Sequence, residues 1–318
     1  MTMKYAVKRV GTMLFTMVIV SFLAFVAFEM ISGDQATAIL GTEATPEALE
    51  ALREEMGLNR PLLIRYGEWL LGFFTGNLGM SHIYHMPVGQ LIAPKLLVTL
   101  CLSLLSFVLI TVVSIPLGVR SARRAGGRLD GFWTAFKQLC MAVPPFFIGI
   151  LLTWIFSIQL GWFIHGQFPD MGSNFGGALY YLLFPAITIS IPRIAMTVRM
   201  LRSTIMNEMQ KDYVRTAIAR GNDRGAVLRR HVLKNALVPV VTFLAQTMAE
   251  ILAGSIVVEQ VFGIPGLGRL MVASIANRDI LVVQSIVVIM AFWVVLAGTV
   301  ADIVNQRIDP RLRLGGAR

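Results

Sequence analysis

Long apolar segments separated by polar, mostly basic stretches set the pattern of this chain of 318 residues. Six segments are long enough to cross a bilayer: Val10–Ile31, Leu97–Val119, Thr134–Ile158, Ala178–Val198, Leu237–Val258 and Ile280–Val304. A spanning helix needs about 20 mostly apolar residues. Pro144 and Pro145 interrupt the third segment, and Pro185 and Pro192 the fourth. Kinks are expected there, because proline removes a backbone donor. Between the first and second segments lies a long mixed stretch, 32–96. Within it Thr45–Gly57 has a capping threonine, proline at the first helical position and a terminal glycine, which predicts a short acidic helix. Tyr66–Phe74 predicts an interfacial amphipathic helix with Tyr66 and Trp69 at headgroup level. The stretch 199–236 is long, polar and basic. Its centre, Asp212–Gly221, reads as a short helix broken by glycine, with a second amphipathic helix after it. There is no internal repeat and no low-complexity linker. The pattern describes one all-α membrane domain, 1–318, with six transmembrane helices and short tails at 1–9 and 305–318.

Composition agrees with the pattern. Hydrophobic residues make up 56% and charged residues 14%, where a soluble domain carries about a quarter charged. Mean hydropathy is +0.70. A net charge of +10 would suggest nucleic acid in a soluble protein, but here the distribution of Lys and Arg reports orientation. One side collects Lys4, Lys8 and Arg9, then Arg120, Arg123, Arg124 and Arg128, then the ten basic residues from Arg193 to Lys234, then Arg307, Arg311, Arg313 and Arg318. The opposite side has Gln159–Gly177, with no Lys or Arg, and a last loop carrying only Arg269 and Arg278. The positive-inside rule places both termini and 199–236 in the cytoplasm, and 32–96 outside. Ala36-Thr37-Ala38 could pass for a signal-peptidase site, yet the preceding apolar run exceeds the roughly 7–15 residues of a cleaved signal. It is taken as an uncleaved first span. Cys101 and Cys140 lie in apolar segments and read as small buried hydrophobes.

Candidate chemistry is sparse. The chain has no Gly-Lys dipeptide, hence no phosphate-cradling loop, so any energy from ATP must come through another subunit. Acids inside a membrane are costly and mark candidate function. Glu250 lies mid-span in the fifth segment and could line a pathway. Glu29 and Asp302, near span ends, fit structural hydrogen bonds better. Phe262, Gly263, Pro265, Gly266 and Gly268 form a segment that demands tight turns. It reads either as an outer gate or as a structured turn. His82 and His85 in an external loop are a weak pair of metal candidates. No nucleophile–base pair supports a hydrolase. An ion-coupled carrier would need unwound, ion-ligating spans, which the prolines permit, but such a carrier leaves the amphipathic loop at 199–236 unexplained.

That loop carries a resemblance. Asp212-Tyr-Val-Arg-Thr-Ala-Ile-Ala-Arg-Gly221 and Asn235-Ala-Leu-Val-Pro239 resemble the coupling loop of ATP-binding-cassette import permeases, in the dipeptide, oligopeptide and nickel subfamily. Arg215-Thr216-Ala217 stands where the general pattern has Glu-Ala-Ala, and Gly221 is correctly spaced. The Glu, the first Ala and the final Pro of the general pattern are absent. Further matches are Lys4–Arg9, Gly57–Tyr66, Gly76–Ser81, Ile115–Gly118, Val258–Gly268, Asn277–Asp279 and Asp309–Arg313. The resemblance covers nearly the whole chain and is to the first permease of a pair. It implies a type I importer permease fold and alternating access. It also implies four kinds of partner: a second homologous permease, two ATPase subunits, an extracytoplasmic substrate-binding protein and the lipid bilayer, with no nucleic acid. No cofactor is expected on this chain; ATP and Mg2+ belong to the ATPases. Asp212, Arg215, Thr216, Ala217, Arg220, Gly221 and Arg224 would couple to the ATPase, with small residues seating the helix and arginines meeting acids. The competing reading of the same loop is a basic helix lying on anionic lipid. Expected cargo is di- or oligopeptide, with nickel or a chelate as the alternative.

Overall fold

The computed structural model describes residues 3–32, 37, 40, 44–55 and 57–308. Asp309–Arg313 and the alanines of Ala36-Thr37-Ala38 lie outside the described residues. Helix α1 (Met3–Ser32) is followed by α2 (Pro46–Glu55) and α3 (Leu62–Thr75). Then come α4 (Val88–Arg123), α5 (Asp130–Ala142) and α6 (Pro145–Leu152), the last continuing as a π-helix over Thr153–Gln159. Next are α7 (Phe175–Glu208) and α8 (Asp212–Ala219). Helix α9 (Arg224–Val227) runs through a π-helical turn at Leu228–Val232 into α10 (Leu233–Phe262). Helices α11 (Leu267–Ala276) and α12 (Ile280–Ile308) close the described chain. Among the described residues there is no strand, only an isolated bridge between Met80 and Pro87.

Five helices are long and apolar enough to cross a membrane, and a sixth crossing exists if α5 and α6 count together. The third segment is therefore more than kinked. It bends by 96° at the Val143–Pro144 break, because two successive prolines remove two donors and push the preceding residue out of the helical region. Helix α5 buries none of its side chains and exposes Phe132, Trp133, Phe136 and Leu139. The fourth segment stays one continuous helix through Pro185 and Pro192. Long helices also overrun the expected limits. Helix α1 already includes residues 3–9, α4 takes up the end of the 32–96 stretch, and α7 and α9 shorten the polar loop to roughly α8 and its turns.

The most extensive contact is between α4 and α7. Its seam is built from small residues: Ser106, Ser114 and Gly118 on α4 are buried, as is Ser190 on α7. Ser190 Oγ donates to the Ser106 carbonyl at 3.2 Å. A Cβ on Gly118 would meet Leu201 Cδ2 at 2.7 Å. Close backbone approach of this kind stands in for hydrophobic driving force inside lipid. Helix α1 packs on α12, tied by Arg9–Asp302 at 3.0 Å, and holds α3 through Arg65–Glu29 at 2.5 and 2.8 Å. Both membrane acids expected to be structural are thus in ion pairs. Tyr66 joins the same contact, hydrogen-bonded to Ser21 at 2.9 Å. The acidic helix forms where its capping pattern puts it, with Thr45 Oγ1 accepting from the Ala48 amide at 3.3 Å.

Candidate coupling loop and pathway face

Helix α8 lies across the end of the bundle because every third or fourth residue is apolar. Val214 is buried, and Ala217 and Ile218 pack against the same cluster, which includes Ile205, Val227, Leu228 and Val232. Tyr213 Oη donates to Glu208 at 2.8 Å and accepts from Asn235 at 3.3 Å, and burial pushes its phenol pKa up. The opposite face is open. The side chains of Asp212 and Arg215 are 96% and 77% exposed. Thr216 and Arg220 are also exposed. The expected small-residue face is therefore split. Helical periodicity turns Ala217 inward onto the bundle, while Thr216 and Gly221 face out.

Gly221 ends this helix at φ +86°, and a Cβ there would meet open space. Its glycine is required by backbone conformation and not by close approach. The Gly221 amide donates to the Ile218 carbonyl at 2.9 Å, and Asn222 Nδ2 to the Ala217 carbonyl at 3.0 Å. Asp223 then caps α9, accepting from the Gly225 and Ala226 amides at 2.8 and 3.2 Å. Beside this turn a cleft of about 460 Å³ opens between the ends of α4, α7 and the start of α9, with Arg123, Gln210 and Arg224 on its walls.

At the other end of α10 the Phe262–Gly268 segment is tightly wired. Gly263 ends α10 at φ +67°, and a Cβ there would lie 2.9 Å from Gly166 Cα. Tyr181 Oη donates to the Phe262 carbonyl at 2.6 Å and accepts from the Gly166 amide at 3.1 Å. Arg269 donates to the Gly263 carbonyl at 2.6 Å. Glu259, fully buried, accepts from Thr99 Oγ1 at 2.7 Å and from the Arg269 amide at 3.1 Å, capping α11. Thr99 in turn accepts from the Leu267 amide at 2.9 Å. The sequence reading passed over Glu259 as part of a motif; a lone acid in the apolar run before a glycine-rich turn was the available signal. Two other motifs also meet in space: buried Ser81 donates to Asp279 at the start of α12. His82 and His85 are exposed on the adjoining turn, and among the described residues no three His, Cys, Asp or Glu side chains converge.

Glu250 sits on the exposed side of α10 and forms an ion pair with Arg193 of α7. Arg193 falls inside the fourth apolar segment, Ala178–Val198, and its charge counts toward the side of the polar loop. The continuous helix from Phe175 to Glu208 places it well inside α7.

Comparison with known proteins agrees with this architecture. Residues 114–314 match the model of the binding-protein-dependent transport system inner membrane component, and residues 2–103 match the N-terminal model of such membrane components. The probable peptide ABC transporter permease protein y4tP of Sinorhizobium fredii is 34% identical over 97% of this chain and 99% of its own. The oligopeptide transport system permease protein AppB of Bacillus subtilis is 34% identical over 97% and 98%. The glutathione transport system permease protein GsiC of Pectobacterium atrosepticum is 33% identical over 98% and 99%. With several bilayer-length helices and two family models that cover most of its length, the chain belongs to the multi-pass inner-membrane components of binding-protein-dependent transport systems.

Proposed function

We propose that this chain is the permease subunit of an ATP-driven importer that carries peptides across the cytoplasmic membrane. The observation that carries the reading is α8: a short helix anchored by Val214 on one face and presenting Asp212, Arg215, Thr216 and Arg220 on the other. A helix tied through Tyr213 to Glu208 of α7 and Asn235 of α10 can convert movement of a docked ATPase into movement of the spans. Its partners are two ATPase subunits, which hold ATP and Mg2+, a second permease and an external binding protein. Peptide cargo is favoured over nickel by the names of the relatives.

The test is reconstitution. The chain, its second permease, ATPases and binding protein in proteoliposomes should accumulate labelled di- to tetrapeptides only with ATP. Peptide-independent nickel uptake, or peptide uptake driven by an ion gradient without ATP, would overturn the reading.

A further inference from the structure

We propose that Arg193 and Glu250 form a charge-balanced station in the cargo pathway, one that makes transport indifferent to the charge of a peptide's side chains. The inference rests on the importer reading and adds to it a specificity-determining pair.

Three observations lead there. First, the pair lies mid-way along two long helices and is open on one side. The side chains of Arg193 and Glu250 are 26% and 52% exposed, and the two join α7 to α10. Charged groups at membrane depth face water or protein and not lipid. Second, the open face of α10 has the wrong chemistry for lipid. Its exposed residues beyond Ala236 are Gln246, Glu250, Ala253, Gly254, Val257 and Gln260, which fall on one helical stripe. Only Val257 among them is a large hydrophobe. The exposed face of α4 is the opposite, with Leu97, Leu104, Val108, Val112 and Leu117. One chain thus has an oily outer face and a polar, small-residue face, and the ion pair sits on the second. Third, the stripe leaves room. A Cβ on Gly254, one turn from Glu250, meets nothing within 4 Å.

The charges explain the function. A lone carboxylate in a confined, partly desolvated path attracts cationic peptides and repels anionic ones, and a lone guanidinium does the reverse, because Coulomb energies grow as the effective dielectric falls. Pairing cancels the long-range field. Each partner remains able to bond a passing peptide amide or terminus.

The experiment uses the complete transporter in proteoliposomes with Ala-Lys-Ala, Ala-Glu-Ala and Ala-Ala-Ala, each well below saturation. The binding protein is the same throughout, so its own preference cancels when variants are compared with wild type. Arg193→Gln should raise the Lys-to-Glu peptide uptake ratio by about fivefold or more, and Glu250→Gln should lower it by a similar factor. The double variant Arg193→Gln/Glu250→Gln should return the ratio to the wild-type value. A pair that merely braces α7 against α10 predicts equal losses for all three peptides with an unchanged ratio, and that result overturns the proposal. Gly254→Cys, with Cys101 and Cys140 replaced by alanine, tests the face without touching the charges. It should react with a charged, membrane-impermeant thiol reagent from the aqueous phase in opened vesicles, and saturating peptide should slow the reaction. An unreactive Cys at this position puts the face against lipid or the second permease and overturns the proposal even if the charge variants fail to insert. Absence of ATP-driven uptake of any of the three peptides by the wild-type complex overturns the importer reading itself, which separates the two failures.

Discussion

Thr99 on α4 and Glu259 at the end of α10, 160 residues apart in sequence, share a hydrogen bond of 2.7 Å in a fully buried site. Through it the N-terminus of α11 is fixed to two long helices, since Thr99 accepts from the Leu267 amide and Glu259 from the Arg269 amide. Helix N-termini carry unpaired amides, which a side-chain oxygen satisfies well. Glu259→Ala would leave a hydroxyl and an amide unpaired in a dry site. We expect a loss on the order of 3 kcal/mol, since each buried polar group left without its partner costs about 1–3 kcal/mol. Thr99→Val should cost a comparable amount, since it leaves the Leu267 amide unpaired and takes a donor from Glu259. Apparent Tm of the detergent-solubilised protein checks both; a Glu259→Ala protein as stable as wild type would refute the capping role.

Gly266→Ala tests the same site from the other side. A Cβ at Gly266 would lie 2.4 Å from the Glu259 carboxyl, so the carboxyl would have to leave its donors. The expected result is a clear fall in apparent Tm. Gly254→Ala, whose Cβ points into open space in mid-helix, should be neutral or slightly stabilising, by up to about 1 kcal/mol from helix propensity. Equal effects from the two substitutions would contradict the packing.

Periodicity and length were enough to locate the bundle, because each span must satisfy its own backbone in lipid and so announces itself as a run of apolar residues. Span ends were less legible. Helix α7 continues past Val198 to Glu208 because nothing in Arg199–Glu208 breaks a helix, and polarity alone does not end one. The break at Pro144 was visible as a kink but not as a 96° bend, which depends on what the two halves pack against. At the coupling loop the glycine position was readable, while the inward turn of Ala217 needed the phase of α8 relative to Val214. The pairing of Arg193 with Glu250 was not legible for a related reason: which residues meet across a helix interface depends on how the two helices pack.

The charge asymmetry predicts a topology that is open to direct measurement. Ser173 lies in the turn between α6 and α7, Asn222 in the turn after α8, and both are exposed. With Cys101 and Cys140 replaced by alanine, Ser173→Cys should be labelled by an impermeant maleimide on spheroplasts. Asn222→Cys should be labelled only after lysis. The reverse pattern would invert the chain in the membrane and remove α8 from the reach of a cytoplasmic ATPase.

Gly221→Val addresses coupling. The backbone at Gly221 has φ +86°, a conformation that a β-branched residue adopts only under strain, on the order of 1–3 kcal/mol. No neighbour would obstruct the new side chain, so the strain falls on the turn itself. It should displace α8 relative to the Asp223-capped α9 while leaving the spans, which pack elsewhere, to insert normally. Membrane expression should therefore stay near wild type, ATPase co-purification should weaken, and ATP-driven uptake should fall to background. Gly221→Ala should be milder in every assay, being strained by the same φ but without branching. A lipid-lying helix would respond differently. It would tolerate this uncharged substitution and lose binding when Arg220, Arg224 and Arg229 are neutralised together, since each basic residue near an anionic surface contributes about 1 kcal/mol. If Gly221→Val transports at the wild-type rate with its ATPases bound, while the triple arginine variant detaches α8 from anionic vesicles, the loop is a membrane-surface element and the docking assignment fails.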